Sequence, residues 1–471
     1  MGQEVGQQHF HQHDFQQFEG CLQQETAYLR GLMAGHQLSS HAGKIGFELE
    51  ATLTDKAGLP APGNAALIDH CPELTLNTEL ARFNVEFNSP VYALKGDALG
   101  TMHAGLYKDW QQASLAAEQM DMQLLMIGIL PSLRMAHLGL EFMSPMQRYR
   151  ALNEQVLRMR HGQSLHLHIE GEESLGFDHR NVMIESVTTS FQLHWQVPFR
   201  QAHHYMNSML MLSGPLLAAA VNSPVLFGRR LWQETRIPVF EQAISFASPS
   251  GLPRVGFAPR YLQSSLMECF EENLREHAVL LPAVSEKPVS RMHHLRLHNG
   301  TVWRWCRPLV GFDDDGMVHL RLEQRILPAG PSCVDMVANA ALLFGLTQAL
   351  VEQLPDIESQ LSFQSVRDNF YRCARYGLEA PVQWLDGKMH SVQSLLLQSL
   401  LPMAGQGLAG LGCTDYQRWL DILHQRVASG RTGAHWQTRW LQQNAGDAAG
   451  MVLAYYQHQQ SDLPVHEWSM L

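Results

Sequence analysis

KIGFELEATLTD, residues Lys44 to Asp55, alternates apolar and polar side chains with the period of a half-buried strand, and its polar positions include Glu48 and Glu50. Residues two apart on a strand leave the same face with Cα atoms about 6.5 to 7 Å apart. That separation suits one or two hard cations held by carboxylate oxygens.

Outward from this stretch, LNTELARFNVEFNSPVY (Leu76 to Tyr92) alternates Phe83, Val85 and Phe87 with Asn84, Glu86 and Asn88. It reads as another strand with one polar face, Glu86 at its middle and Glu79 near its entry. A carboxylate turned inward from such a strand must be paired, metal-bound or protonated, because burying it bare is too costly. VTTSFQLHWQV (Val187 to Val197) places Ser190, Gln192 and His194 on one face, and MVHLRLEQRIL (Met317 to Leu327) does the same for Arg321, Glu323 and Arg325. TVWRWCRPL (Thr301 to Leu309) and LLMIGILP (Leu124 to Pro131) read as further strands, while Gln24 to Leu38 and Leu99 to Met122 read as helices. From Val334 onward the pattern is almost wholly helical. This order lacks the strand-helix alternation of a doubly wound fold, so the expected class is α+β.

Strands that each deliver Glu to one face meet the needs of Mg²⁺-ATP: hard oxygen ligands neutralise the phosphates and arginine stabilises charge on the transferred group. Taken singly, a Glu or Arg on a strand more often marks a solvated sheet face, and His194 alone a structural histidine; the recurrence carries the reading. There is no G-x-x-x-x-G-K-[ST] loop, no G-x-G-x-x-G and no G-x-S-x-G, and His166/His168, His203/His204 and His293/His294 lack zinc-hydrolase spacing.

The formal net charge is −11, from 45 acidic against 34 basic residues without a long basic run, which argues against a nucleic-acid partner. The seven scattered cysteines include no C-x-x-C pair and read as reduced thiols of a cytoplasmic protein. The first residues show no export or lipid-anchor pattern. The apolar window Met209 to Phe227 is broken by Ser213, Gly214, Pro215 and Asn222-Ser223-Pro224, so a buried helix ending at a turn is expected rather than a membrane span.

In this order the segments resemble the second glutamate-cysteine ligase family, carboxylate-amine ligases of the glutamine-synthetase-like superfamily. The resemblance rests on Gly46-Phe47-Glu48-Leu49-Glu50, on Glu79 and Glu86 seven apart, on TTSFQLH ending at His194, and on LLAAAVNSPVLFGRR. Glu323-Gln324-Arg325 and the late segment FYRCARYGLEAPV complete it, so that it runs from about Lys44 to about Val382. It implies a mainly antiparallel curved sheet with an acidic metal-binding face, covered by helices and followed by a helical C-terminal part.

The resemblance further implies an acyl-phosphate cycle with ATP, two or three Mg²⁺ ions (Mn²⁺ as a substitute), glutamate or a similar amino acid, and an amine, with cysteine the leading acceptor. Glu48, Glu50, Glu79, Glu86, His194 and Glu323 would hold metal, with Arg325 and Glu86 catalytic. Gln192, Arg321 and Arg325 would meet ATP, and Arg229, Arg236, Arg148 and Tyr149 the substrate. A homodimer fits the family. The alternatives within the fold are a kinase or ligase acting on a different amine or guanidino group, and a degenerate regulatory subunit.

Residues 1–23 read as a flexible Gln- and His-rich arm, 24–382 as the ligase core and 383–471 as a helical extension packed on it. The chain departs from the family pattern at Gly128-Ile129-Leu130-Pro131 and at Leu165-His166-Leu167-His168-Ile169. Residues 160–185 read as an added hairpin over the site, tuning the amine acceptor or mediating association.

Overall fold

The computed structural model describes residues 4–246, 251–353 and 357–469. Its centre is an eight-stranded sheet. In chain order the strands are β1 (Lys44–Asp55), β2 (Leu76–Thr78), β3 (Asn84–Asn88), β4 (Tyr92–Ala93), β5 (Met122–Leu125), β6 (Phe191–Gln196), β7 (Cys306–Phe312) and β8 (Val318–Gln324).

Every pairing in the sheet is antiparallel, in the order β7-β8-β6-β1-β3-β2. β1 is long enough to serve two neighbours on each edge: β6 and β5 on one, β4 and β3 on the other. The α+β class and the curved antiparallel sheet expected from the sequence are what the chain forms.

One face is packed by helices. Trp195 of β6 meets Tyr205 of the helix Ala202–Ala220 and Phe344 of the helix Cys333–Gln353, at ring separations of 5.2 and 5.3 Å, and Phe87 of β3 meets Trp110 of the helix Ala98–Gln119. The Met-rich window is thus a buried helix, closed by the turn at Asn222. The helix Cys333–Gln353 is long and apolar enough to cross a membrane, but 94% of its most apolar window is buried inside the molecule. It packs so closely on the helix Leu401–Gly410 that a Cβ added to Gly407 would fall 1.9 Å from the Gly345 carbonyl oxygen.

Some elements differ from expectation. The segment Leu124–Pro131 pairs as a strand only to Leu125, and Thr301–Leu309 is split, with Trp303–Arg304 paired in parallel to Val255–Gly256 before β7 begins. The helix expected from Gln24 begins earlier, at Gln12, and runs to Ala34, so that half of the arm expected to be flexible is helical, with Phe18, Leu22, Leu29 and Leu32 buried at helical spacing; residues 1–3 lie outside the described ones. Glu25 of this helix accepts from His294 Nδ1 at 2.8 Å and from the Leu295 amide at 2.7 Å, fixing the helix His293–Gly300 beside the cleft described below.

The C-terminal helices are tied to the rest through buried polar contacts. Arg426 pairs with Asp335 at 2.7 Å and donates to Asn339 Oδ1 at 2.6 Å, and Asn222 bonds Tyr455 and Gln437. Breaking a buried pair on one side leaves an uncompensated charge, so Arg426→Met should lower stability by about 3–5 kcal/mol. Chemical denaturation of purified protein measures this, and a wild-type midpoint would contradict it.

Candidate active site

The register of the sheet brings its polar positions into one row. Glu48 stands opposite Gln192 of β6 and Asn88 of β3, Glu50 opposite Glu86, and Glu323 opposite His194 and Arg307. Two carboxylates directly across a strand pair destabilise each other unless a cation lies between them. Glu86 accepts from Asn88 Nδ2 at 2.7 Å, and Glu50 accepts from the Ser190 amide at 2.7 Å and from Gln192 Nε2 at 2.9 Å.

Glu48, His194 and Glu323 form the tightest group. His194 Nε2 lies 3.5 Å from Glu48 Oε1 and 3.7 Å from Glu323 Oε1, and one ligand atom from each residue lies within 4.8 Å of the others. Among the described residues, Glu48 Oε2 and His194 Nε2 are buried without hydrogen-bond partners. An orphaned buried carboxylate oxygen such as Glu48 Oε2 fits a divalent cation.

The outer contacts of this group are asymmetric. Glu323 Oε2 is taken by Arg307 Nε at 2.5 Å and Arg325 Nη1 at 3.2 Å, while Oε1 accepts a longer bond, from Arg307 Nη2 at 3.4 Å, on the side toward His194. Arg321 Nε donates to His194 Nδ1 at 3.0 Å, so the neutral ring carries its proton on Nε2. Ligation through Nε2 therefore requires that proton to leave and Arg321 to release Nδ1.

The row floors a cleft of about 260 Å³. At one end stand Glu79, Glu185, Arg148 and Tyr149, with Arg148 donating to the Thr78 carbonyl at 3.3 Å and to the Tyr149 hydroxyl. At the other, Leu297, Trp303 and Leu309 form an apolar wall beside Arg296 and Arg321.

Burial, reinforced by the charges of Glu86 and Glu323, pushes Glu48 up to about 8. Burial and Glu50 push Glu185 up to about 8, and burial, against Arg325 but with Glu86, takes Glu50 to about 6. Glu79 is raised well above its ordinary value by burial and by Glu86. Burial also acts to raise Glu323, but Arg307 and Arg325 outweigh it and hold that carboxylate below the usual range.

These shifts set a pH dependence. A carboxyl whose folded value is raised adds stability that is full below its unfolded value and lost as pH rises through the folded one. His194 (about 3), His277 (about 3) and His298 (about 4), lowered chiefly by burial, act with the opposite sign, but only below their ordinary value of 6.5. Between pH 6.5 and about 8 the carboxyls Glu48 and Glu185 therefore dominate, joined by Glu241, raised to about 7 by burial. In EDTA the melting temperature should fall across that window; saturating Mg²⁺ should flatten the fall and release protons, read by calorimetry in buffers of different ionisation heat. A melting temperature that rises with pH in EDTA would contradict the account.

Of the residues singled out from the sequence, Glu48, Glu50, Glu79, Glu86, Gln192, Arg148, Tyr149, Arg321 and Arg325 line the cleft, and His194 and Glu323 join the cluster in the same row. Arg229 is not brought there. It is exposed and paired with Glu173 at 3.0 Å, on the turn of the hairpin Leu165–Glu170/Ser174–His179. Arg236 is buried and does not line this cleft; paired with Glu234 at 3.0 Å and donating to the carbonyls of Arg325 and Ile326, it lines a smaller adjoining cavity together with Glu50, Glu79, Glu185 and Arg325. The expected hairpin forms, but its two strands do not line the cleft and pack on the helix Arg236–Ala243; of residues 160–185, Glu185 alone is among the lining residues.

Sequence reasoning missed Glu185 and Arg307. Arg307 was within reach: folding residues 306–312 back on 318–324 about the turn at Asp313–Gly316 sets it across from Glu323. Glu185 lies on a 3₁₀ turn, Val182–Val187, and obeys no strand period.

A curved antiparallel sheet with a buried Glu and His row on one face and helices on the other defines a glutamine-synthetase-like carboxylate-amine ligase. Residues 44–454 match the model of glutamate-cysteine ligase family 2, and the chain belongs to that family.

Two of the solved structures that share the fold illustrate the likeness. A glutamate-cysteine ligase from Francisella tularensis, in complex with AMP, superposes with a TM-score of 0.54 at 10% identity, covering 92% of this chain and 91% of that one. A bifunctional glutathione synthetase from Pasteurella multocida gives 0.56 at 12% identity over 93% of this chain, which spans 54% of that protein. At such identities the likeness is one of fold. No curated protein matches the sequence.

Proposed function

We propose that this enzyme joins the side-chain carboxylate of glutamate, or of a closely similar amino acid, to an amine, using ATP and forming a γ-glutamyl amide through an acyl phosphate. The observation that carries the reading is the buried carboxylate row facing Arg325. Glu48, Glu50, Glu79, Glu86, His194 and Glu323 would hold Mg²⁺, which when bound neutralises phosphate charge as a Lewis acid.

Arg325 donates to Gln192 Oε1 and Glu323 Oε2, while its Nε is buried without a partner, leaving a donor for the phosphoryl group. Arg307 keeps Glu323 ionised through its ion pair. The apolar wall with Arg296 and Arg321 suits a nucleotide base and its phosphates, and Arg148 an amino-acid carboxylate. The partners in this reading are small molecules, and the location is cytoplasmic, in keeping with seven free cysteines.

The test is ADP and phosphate release from Mg²⁺-ATP with glutamate across a panel of amines including cysteine, with mass spectrometry of the products. ADP formed together with a new amide supports the ligase. ADP with a phosphorylated guanidino or amine compound instead would make it a kinase, and ATP binding without turnover on any amine would point to a regulatory role.

A further inference from the structure

Glu185 stands off the sheet, across from the acidic row. Its 3₁₀ turn is pinned on every side: Asn181 Oδ1 accepts from the Met183 amide at 2.9 Å, Asn153 Oδ1 accepts from the Val182 amide at 3.1 Å, and Asn84 Nδ2 donates to the Ser186 carbonyl at 2.6 Å. Val182, Met183, Ile184, Ser186 and Val187 are all buried, while Glu185 itself is half-buried and lines the cleft. The fold thus holds this backbone rigidly and turns one carboxylate into the open space.

Three other carboxylates of the site have protein donors: Glu50 has Ser190 and Gln192, Glu86 has Asn88, and Glu323 has Arg307. Among the described residues no hydrogen bond or ion pair engages the Glu185 carboxylate. The charged groups that act on it are Glu50 from β1, Arg325 following β8, and Arg148 from the helix Gln147–Met159. It therefore stands at the end of the cleft with Glu79, Arg148 and Tyr149, away from the apolar wall.

An amine acceptor at neutral pH arrives as an ammonium, which has no lone pair for attack. We infer that Glu185 is the base that takes the first proton from this ammonium, an assignment that rests on the ligase reading. The proton passes from nitrogen to a Glu185 carboxylate oxygen. The freed lone pair forms the C–N bond at the acyl-phosphate carbon, and the C–O bond breaks with its electron pair on the departing phosphate. The second N–H proton leaves with that phosphate, and Glu185 returns its own to solvent. Burial raises the affinity of Glu185 for a proton, as such a role requires.

The probes are hydroxylamine, largely unprotonated at neutral pH, and ammonium and cysteine, which are cationic there. Each is supplied with glutamate and Mg²⁺-ATP to wild type and to Glu185→Gln, which keeps size and polarity. The variant should make γ-glutamyl hydroxamate near the wild-type rate and lose about 10²-fold or more in turnover with the cationic acceptors. Equal loss with hydroxylamine would make Glu185 a metal ligand or structural group and overturn the assignment, as would unchanged turnover with ammonium or cysteine. A wild type that used hydroxylamine alone would also overturn it. A wild type that formed no amide with any of the three acceptors would instead remove the ligase reading on which the assignment stands.

Discussion

Glu48→Gln is expected to lose about 10²- to 10³-fold in Mg²⁺-ATP turnover while its melting temperature in EDTA stays level or rises. The two halves have one cause. Burial, reinforced by the charges of Glu86 and Glu323, pushes the Glu48 carboxyl up to about 8, so without a cation the protonated acid is the favoured form near neutrality. Glutamine has nearly the shape of that neutral acid and removes the charge that burial penalises, so folding loses little.

The cation loses a ligand oxygen. Glu48 Oε1 is the carboxylate atom 3.5 Å from His194 Nε2, and Oε2 has no other partner. Wild-type protein should therefore be stabilised by Mg²⁺ through binding to the folded state, and the variant much less so. Melting curves with and without Mg²⁺, beside steady-state rates, separate the two halves. A variant that unfolds in EDTA would show Glu48 to be structural, and one with wild-type rates would remove it from the metal set.

Arg325→Lys is expected to lower kcat by about 10³-fold with little change in KM for ATP. Lysine keeps the positive charge that Glu323, Glu50 and Glu48 stabilise in this position, so the electrostatics of the row survive. It loses the planar guanidinium, whose Nη1 serves both Gln192 and Glu323 while Nε–H, without a partner among the described residues, remains for a third acceptor. A group that acts on charge developing during phosphoryl transfer shows in kcat and not in ground-state binding. A variant whose main defect was in KM would place Arg325 in nucleotide binding alone.

The parts of the site legible in the sequence were those that strand alternation can encode. β1 announces Glu48 and Glu50 by period, and the same alternation sets Gln192 with His194, and Arg321 with Glu323 and Arg325. Which strands lie side by side is a different matter: β6 follows β1 by more than a hundred residues, and no local pattern says that His194 falls across from Glu323.

Arg229 shows the opposite error. It follows a recognisable Asn222-Ser223-Pro224 block, yet its side chain is set by Glu173, on a hairpin that the sequence pattern left unaligned. The part of the first helix before Gln24 was hidden because Gln and His dominate its composition, while Phe18 and Leu22 continue there the buried stripe of Leu29 and Leu32.

The measurement that bears most directly on the central claim uses glutamate carrying heavy oxygen in its side-chain carboxylate, with Mg²⁺-ATP and an amine that supports turnover. If that carboxylate attacks ATP and its phosphoryl ester is then displaced by the amine, one labelled oxygen must pass to phosphate for each amide formed. Mass spectrometry of the released phosphate should show that transfer; phosphate without label, alongside ADP, would contradict the account.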